Sequence, residues 1–133
     1  MESPNPEAVR KGSENLKNAL RIVNMYGLQA VVAINRFPTD SKDEITMVKE
    51  VAKSAGAFSV QEADGFMSGG DGMTDLATAV VEAANQPTEV KLLYEDKDSF
   101  FDKVEYLAKS LYLSRDVTWG PTVSYTHLRA HET

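Results

Sequence analysis

The sequence predicts a layered α/β fold built around a mainly parallel sheet. Segments with helical periodicity alternate along the chain with short apolar runs, which is the pattern of helices packed on such a sheet. The run from residue 28 to 34 is apolar and β-branched without alternation, as expected for a strand covered on both faces. At 133 residues the chain is long enough to bury a hydrophobic core.

Capping residues and glycines define the first helical region. Asn5 followed by Pro6 is typical of a helix start, and Gly12-Ser13 is expected to interrupt or restart that helix. Gly27 is placed to end it, just before the first predicted strand. The apolar positions that share one helix face are Leu16, Leu20 and Val23.

A second helix and a second strand are predicted next. Potential helix caps precede an apolar stripe that Gly56 closes. These caps are Thr39, Asp40 and Ser41, and the stripe is Ile45, Val48, Val51 and Ala52. Residues 57–60 form a plausible second strand, and the glycine-rich segment EADGFMSGGDG follows it as a loop.

The last third of the chain is predicted to contain two more helices. Thr74 and Asp75 are expected to cap the first of them, and Asp98-Ser99 begins the second. Residues 90–94 between them form either a short strand or an extended link. The apolar positions of the two helices are Leu76, Val80, Ala83 and Ala84, then Val104, Leu107, Ala108 and Leu111.

Composition and charge argue against several classes of function. The net charge of -6 disfavours a nucleic-acid or anionic membrane surface, since those partners favour basic patches. The absence of cysteine excludes disulfides and thiolate chemistry. Neither a membrane span nor a signal peptide is recognisable in the sequence. We therefore expect a soluble, cytoplasmic protein.

The segment AINRFPTD, residues 33–40, ends the first predicted strand in polar and aromatic side chains. Ligands of parallel sheets bind beyond the carboxyl ends of the strands, so a site is expected here. By pattern alone, Asn35 is either a strand-end cap or a ligand contact. Pro38 favours extended geometry at Phe37, whose ring either stacks on a flat heterocycle or packs under its own loop.

The glycine-rich segment follows the second predicted strand and carries another aromatic residue, Phe66. With Phe37 it resembles a clamp for a planar ligand. The SGGDG stretch allows close approach of a ligand, although by pattern alone a flexible turn is the simpler explanation. It has neither the spacing nor the Lys of a phosphate-binding P-loop, and no such motif occurs elsewhere in the sequence. Pro38 stands where the guanine-reading motif Asn-Lys-x-Asp requires an acid, so a GTPase-like function is not expected.

Several segments resemble the formate–tetrahydrofolate ligase family, also called formyltetrahydrofolate synthetase. The densest match is VVAINRFPTDSKDEI. Looser matches agree with the family in order and spacing, and these are PEAVRKGSENL, VKEVAKSAGAF, the SGGDG loop, LATAVVEAANQP, LLYEDKD and KVEYLAKSLY. The resemblance covers about residues 5–117.

The resemblance implies a P-loop-NTPase-like α/β ligase that uses ATP with magnesium. Family members phosphorylate formate to formyl phosphate, and N10 of tetrahydrofolate then attacks the formyl carbon to give 10-formyltetrahydrofolate. Two aromatics sandwich the pterin: the Phe of INRFPTD, here Phe37, and a Trp before the Gly-Gly loop, where this chain has Phe66. The implied folate-binding residues are Phe37, Pro38, Phe66, Asn35, Gly69 and Gly70, with no catalytic or metal-binding residue in this chain.

The family's phosphate-binding loop, with its Lys, lies upstream of the matched region. We therefore expect the chain to be a fragment of a larger enzyme, inactive by itself, whose complete form is a homo-oligomer. Its residues divide into an α/β segment with the folate-site strand ends (5–88), the start of a following α/β region (89–122) and a tail (123–133). The alternative is a truncated paralogue that binds folate or a nucleotide without catalysis.

The tail VSYTHLRAHET departs from the family pattern after Gly120-Pro121. Its back-translation resembles the transposase adapter used in short-read library preparation, so we interpret it as a non-native, adapter-derived extension. His127 and His131 have the i, i+4 spacing of a helical metal pair. Because they lie in this tail, we do not expect them to bind a metal.

Overall fold

A computed structural model describes residues 5–122, which form two compact units that divide between Leu92 and Leu93. The first unit contains helices and a parallel sheet of two strands, and the described part of the second contains a helix at residues 100–110. In the part of the chain that is described, no helix is long and apolar enough to cross a membrane. The tail, with His127 and His131, lies outside the described residues.

The first helical region is divided as expected into α1, Pro6–Gly12, and α2, Glu14–Met25. Asn5 caps α1, because its side chain accepts a hydrogen bond from the N–H of a residue in the first turn. Ser13 separates the two helices, which confirms the predicted interruption. Gly27 follows α2 with a φ of 74°, a conformation that glycine adopts without strain.

The two strands are β1, Val31–Asn35, and β2, Ser59–Ala63. They pair in parallel, with Val31 opposite Ser59 and Asn35 opposite Ala63. The α/β class and the parallel pairing are confirmed, whereas the larger P-loop-NTPase-like layering stays a prediction, since the described sheet has two strands. The prediction that β1 is covered on both faces is wrong, because Ala33 is exposed.

Both strand boundaries differ from those predicted. The strand β1 begins at Val31 rather than at residue 28, and β2 occupies 59–63 rather than 57–60. Sequence pattern missed the second half of β2 because Gln61 and Glu62 are polar. Backbone pairing to β1 keeps these residues extended in spite of their low strand propensity.

Helix α3, Lys42–Ser54, connects the two strands. Ser41 is its N-cap, and it forms a capping box with Glu44 in which each side chain bonds the other residue's backbone N–H. Gly56 follows the helix with a φ of 92°, so its predicted role in ending the helix is confirmed.

The glycine-rich segment is not an open loop. It contains the single-turn helix α4, Gly65–Ser68, and a 3-10 turn, Asp71–Met73, that leads directly into α5, Thr74–Ala84. The prediction that Thr74 and Asp75 cap α5 is wrong, because both already lie within its first turn and Met73 precedes it.

The core of the first unit lies between the sheet and its helices. Its central side chains are Leu20 of α2, Ala30, Ala52 of α3 and Val60 of β2. Helix α5 buries Ala79 and Ala83, while the apolar residue Val80 is exposed. Small alanines therefore set the distance between α5 and the sheet.

The second unit consists of α6, Phe100–Ser110, and the chain that flanks it. Ser99 caps this helix as predicted, since its hydroxyl accepts a hydrogen bond from the Asp102 N–H at 3.2 Å. Phe101 and Trp119 pack edge to face, with ring centroids 4.6 Å apart. Residues 90–94 form no strand, so the first of the two predicted alternatives is wrong.

Candidate functional site

The carboxyl ends of β1 and β2 lie side by side at one edge of the sheet. Asn35 pairs with Ala63, and the ladder extends one residue further, because the Arg36 N–H donates to the Ala63 carbonyl at 3.1 Å. Asn35 is exposed and forms none of the described side-chain hydrogen bonds. Its amide is therefore available to a ligand at this edge.

A tight turn presents Phe37 immediately after β1. The Phe37 N–H donates to Oδ2 of Asp40 at 2.8 Å, and the Asp40 N–H donates to the Phe37 carbonyl at 3.0 Å. Pro38 occupies the turn between them and restricts its own φ. Phe37 remains 56% exposed. The predicted alternative in which its ring packs under its own loop is therefore wrong.

The loop after β2 is held closed by contacts between its two ends. The Asp64 N–H donates to the Gly72 carbonyl at 3.1 Å, and the Ser68 hydroxyl donates to the Asp64 carboxylate at 3.0 Å. A Cβ on Gly72 would lie 2.4 Å from the Asp64 carbonyl oxygen, so only glycine fits this position. The segment is thus folded into turns in this structure, and whether it is flexible stays a prediction.

Phe66 lies on the single-turn helix α4 and is 84% exposed. It follows the end of β2 by three residues, as Phe37 follows the end of β1 by two. Neither ring packs on another aromatic ring in the described residues. Exposed rings are costly in water, and their place beyond adjacent strand ends suits a planar ligand.

Gly69 and Gly70 border open space next to α4. A Cβ built on either residue would meet no atom within 4 Å, unlike one on Gly72. Gly69 has a φ of 59° and a ψ of -139°, which favours glycine on backbone grounds alone. A ligand could therefore approach the backbone at these two positions closely.

A partly buried ion cluster includes Arg36, the residue that precedes Phe37. Glu62 of β2 accepts hydrogen bonds from Lys49 Nζ at 2.6 Å and from Arg36 Nη1 at 3.1 Å. The Lys49 hydrogen bond lowers the pKa of Glu62 from its ordinary value of 4.5. The charges of Lys49 and Arg36 act in the same direction, while partial burial and the nearby Asp64 carboxylate oppose the shift. Glu62 is therefore ionised at neutral pH.

An open, mainly apolar groove of about 440 Å³ begins at Gly70 and runs along α5 to Glu82. Neither Phe37 nor Phe66 lines it. It therefore does not coincide with the aromatic pair. Within residues 5–122, no group of three or more His, Asp or Glu side chains is arranged to hold a metal ion.

The sequence predicts the residues that surround the carboxyl ends of the two strands. It does not predict the residues whose hydrogen bonds and ion pairs stabilise this edge of the sheet. The sequence predicts Asp40 as a helix cap, whereas it closes the Phe37 turn. The sequence pattern places Glu62 in the glycine-rich loop and gives no signal for Lys49. Only the register of β1 against β2 brings Glu62 next to Arg36, and no local sequence signal reports that register.

Comparisons with known proteins converge on one family. The family model described as formate–tetrahydrofolate ligase matches residues 1–132, a span that includes most of the tail. The formate–tetrahydrofolate ligase of Roseiflexus sp. is 43% identical over 120 residues, and that of Symbiobacterium thermophilum is 43% identical over 107. These alignments cover 90% and 80% of this chain but 21% and 19% of the relatives.

A further relative is the cytoplasmic C-1-tetrahydrofolate synthase of Saccharomyces cerevisiae, 38% identical over 108 residues. That alignment covers 81% of this chain and 11% of the yeast protein. The chain thus spans about a fifth or less of the length of the curated relatives it matches.

Proposed function

Because this chain belongs to the formate–tetrahydrofolate ligase family, we propose that it forms one wall of the folate site in an ATP-dependent enzyme that ligates formate to tetrahydrofolate. The observation that carries this proposal is the pair of exposed rings, Phe37 and Phe66, beyond the aligned ends of β1 and β2. A reduced pterin contains a flat, polar pyrimidinone ring, and aromatic side chains bind such rings by stacking.

Phe37 is suited to act as the fixed stacking surface. Its backbone is held on both sides, by the ladder bond at Arg36 and by the paired hydrogen bonds with Asp40. A backbone that is already held loses little conformational entropy when a ligand binds. Pro38 further limits the turn, and Asn35 places an amide at the same strand end.

Phe66 would supply the opposing surface, on the single-turn helix α4. Helix α4 has four residues, and Gly69 and Gly70 leave open space next to it. The resemblance places a Trp at this position, so Phe66 keeps a stacking face of smaller area. The open space beside Gly69 and Gly70 would leave room for the edge of the pterin.

ATP, with magnesium, would supply the phosphoryl group that activates formate. The described residues do not fit the phosphates or the metal, because they include neither a glycine-rich loop followed by Lys nor a metal-holding cluster. This chain therefore contributes binding and orientation of tetrahydrofolate, and no step of phosphoryl transfer is assigned to its residues. By itself the 133-residue chain is expected to be inactive.

The partners proposed are small molecules: tetrahydrofolate, formate and ATP. The complete enzyme is proposed to be a homo-oligomer in the cytoplasm, without a nucleic-acid or membrane partner. The net charge of -6 disfavours a nucleic-acid or anionic membrane partner. The name of the yeast relative, which is cytoplasmic, supports the compartment.

The test of this function uses the protein expressed from its complete reading frame, hereafter the complete gene product. Incubation with formate, tetrahydrofolate and Mg-ATP should form 10-formyltetrahydrofolate, measured through the absorbance of its acid-converted methenyl form. Omission of formate is the control. Binding of tetrahydrofolate without any turnover would contradict the ligase and support the non-catalytic paralogue instead.

A further inference from the structure

Glu62 joins three elements at the folate edge through one carboxylate. It lies on β2, and its two oxygens take different partners: Oε1 accepts from Lys49 of α3, and Oε2 accepts from Arg36 at the end of β1. The Glu62 side chain is 30% exposed, so the cluster is shielded from solvent more than a typical surface ion pair.

Arg36 is the residue immediately before Phe37, and it is held to β2 twice. Its backbone N–H bonds the Ala63 carbonyl, and its guanidinium bonds Glu62. The backbone bond fixes the position of the chain, while the side-chain bond restricts rotation about the strand axis. Together they define the direction in which the chain enters the Phe37 turn.

The charges around Glu62 explain why the carboxylate matters. Lys49 and Arg36 face it with two positive charges, and Asp64, just after β2, contributes one further carboxylate. Replacement of Glu62 by a neutral amide would leave two neighbouring cations without the anion that lies between them. Arg36 would then lose its charged partner and turn toward solvent.

We propose that Glu62 is a positioning residue for the folate site, which holds Arg36 against β2 and thereby fixes the backbone that presents the Phe37 ring. The inference rests on the proposed function and deepens it. Glu62 does not touch the ligand in this account. It acts through Arg36 and Phe37, and its effect should therefore be confined to folate binding.

The experiment compares Glu62→Gln with the unchanged complete gene product. We expect the KM for tetrahydrofolate to rise about threefold to fivefold, the scale of a partly exposed ion pair, with the KM for ATP unchanged. Glu50→Gln is the matched control, because Glu50 is an exposed carboxylate of α3 that takes part in none of the described ion pairs. It should leave both KM values unchanged. Equal increases in both KM values for Glu62→Gln would indicate a merely structural role and overturn the proposal.

A double-mutant cycle separates this inference from the proposed function. If Glu62 acts through Phe37, Glu62→Gln should raise the folate KM no further in a Phe37→Ala background. Full additivity would overturn the positioning role while the folate site stands. A Phe37→Ala variant with an unchanged folate KM would instead overturn the proposed function. Should Glu62→Gln fail to fold, Glu62→Asp, which keeps the charge on a shorter arm, takes its place in the cycle.

Discussion

The backbone N–H of Phe37 donates a 2.8 Å hydrogen bond to Oδ2 of Asp40, and the Asp40 N–H bonds the Phe37 carbonyl in return. This pair closes a turn that starts directly after β1 and leaves the Phe37 ring exposed. The side chain of a residue three positions away therefore sets the backbone of the residue proposed to stack on folate.

Asp40→Ala should weaken folate binding, although Asp40 itself is not proposed to contact the ligand. Loss of the Phe37 N–H bond frees the turn, so the KM for tetrahydrofolate in the complete gene product should rise about threefold to tenfold. Asp43→Ala, which removes a nearby exposed carboxylate from the first turn of α3, is the control and should have no such effect. A folate KM that changes equally in both variants would point to net charge rather than to the turn.

Gly72 and Gly70 should respond differently to the same substitution. A Cβ at Gly72 would lie 2.4 Å from the Asp64 carbonyl oxygen, whereas one at Gly70 meets nothing within 4 Å. Gly72→Ala should lower the free energy of unfolding by about 1–3 kcal/mol, while Gly70→Ala should change it little. Urea denaturation of the two variants measures this difference, and equal losses would contradict the loop geometry.

Glu44 should stabilise the fold in a pH-dependent manner. The Ser41 hydroxyl first, then the backbone N–H groups of Asn5 and Ser41, lower the pKa of Glu44 below its ordinary 4.5. Because the folded pKa is depressed, the stabilisation is complete above pH 4.5 and is lost as the pH falls through the folded pKa. The Tm difference between wild type and Glu44→Gln should thus be constant from pH 7 to 5 and shrink in acid. A difference that does not depend on pH would contradict this role.

Local chemistry made much of the fold predictable. Capping by Asn5, Ser41 and Ser99 leaves a signal in neighbouring residues, and each helix start that they mark was predicted. The end of β2 was missed because its extended conformation depends on pairing with β1 rather than on its own polar residues. The turns within the glycine-rich segment were missed for a related reason, since contacts between Asp64 and Gly72 close it.

The candidate site was predictable only in part. Phe37 and Phe66 could be singled out because they stand outside any apolar periodicity, and their exposure agrees with that interpretation. The groups that position these two residues could not be predicted from the sequence. The Glu62 cluster depends on the strand register and on the position of α3, which are tertiary properties. Whether these residues bind folate stays a prediction.

Phe66→Trp tests the second stacking surface. The Phe66 side chain is 84% exposed, so a larger ring has room to extend into solvent or onto a ligand. The variant should therefore hold or lower the KM for tetrahydrofolate and leave the Tm unchanged. A clear fall in Tm would mean that Phe66 packs against protein in the complete gene product, where added volume is costly.

The central claim is that Phe37 stacks on the pterin, and Phe37→Ala in the complete gene product tests it most directly. Loss of one aromatic stacking contact costs about 1–3 kcal/mol, which corresponds to an increase of about fivefold to 150-fold in the KM for tetrahydrofolate. The KM for ATP should stay unchanged. Phe58→Ala is the matched control, because Phe58 precedes β2 at the opposite end of the sheet. The account predicts a raised folate KM for Phe37→Ala alone, and an unchanged folate KM in a folded Phe37→Ala variant would contradict it.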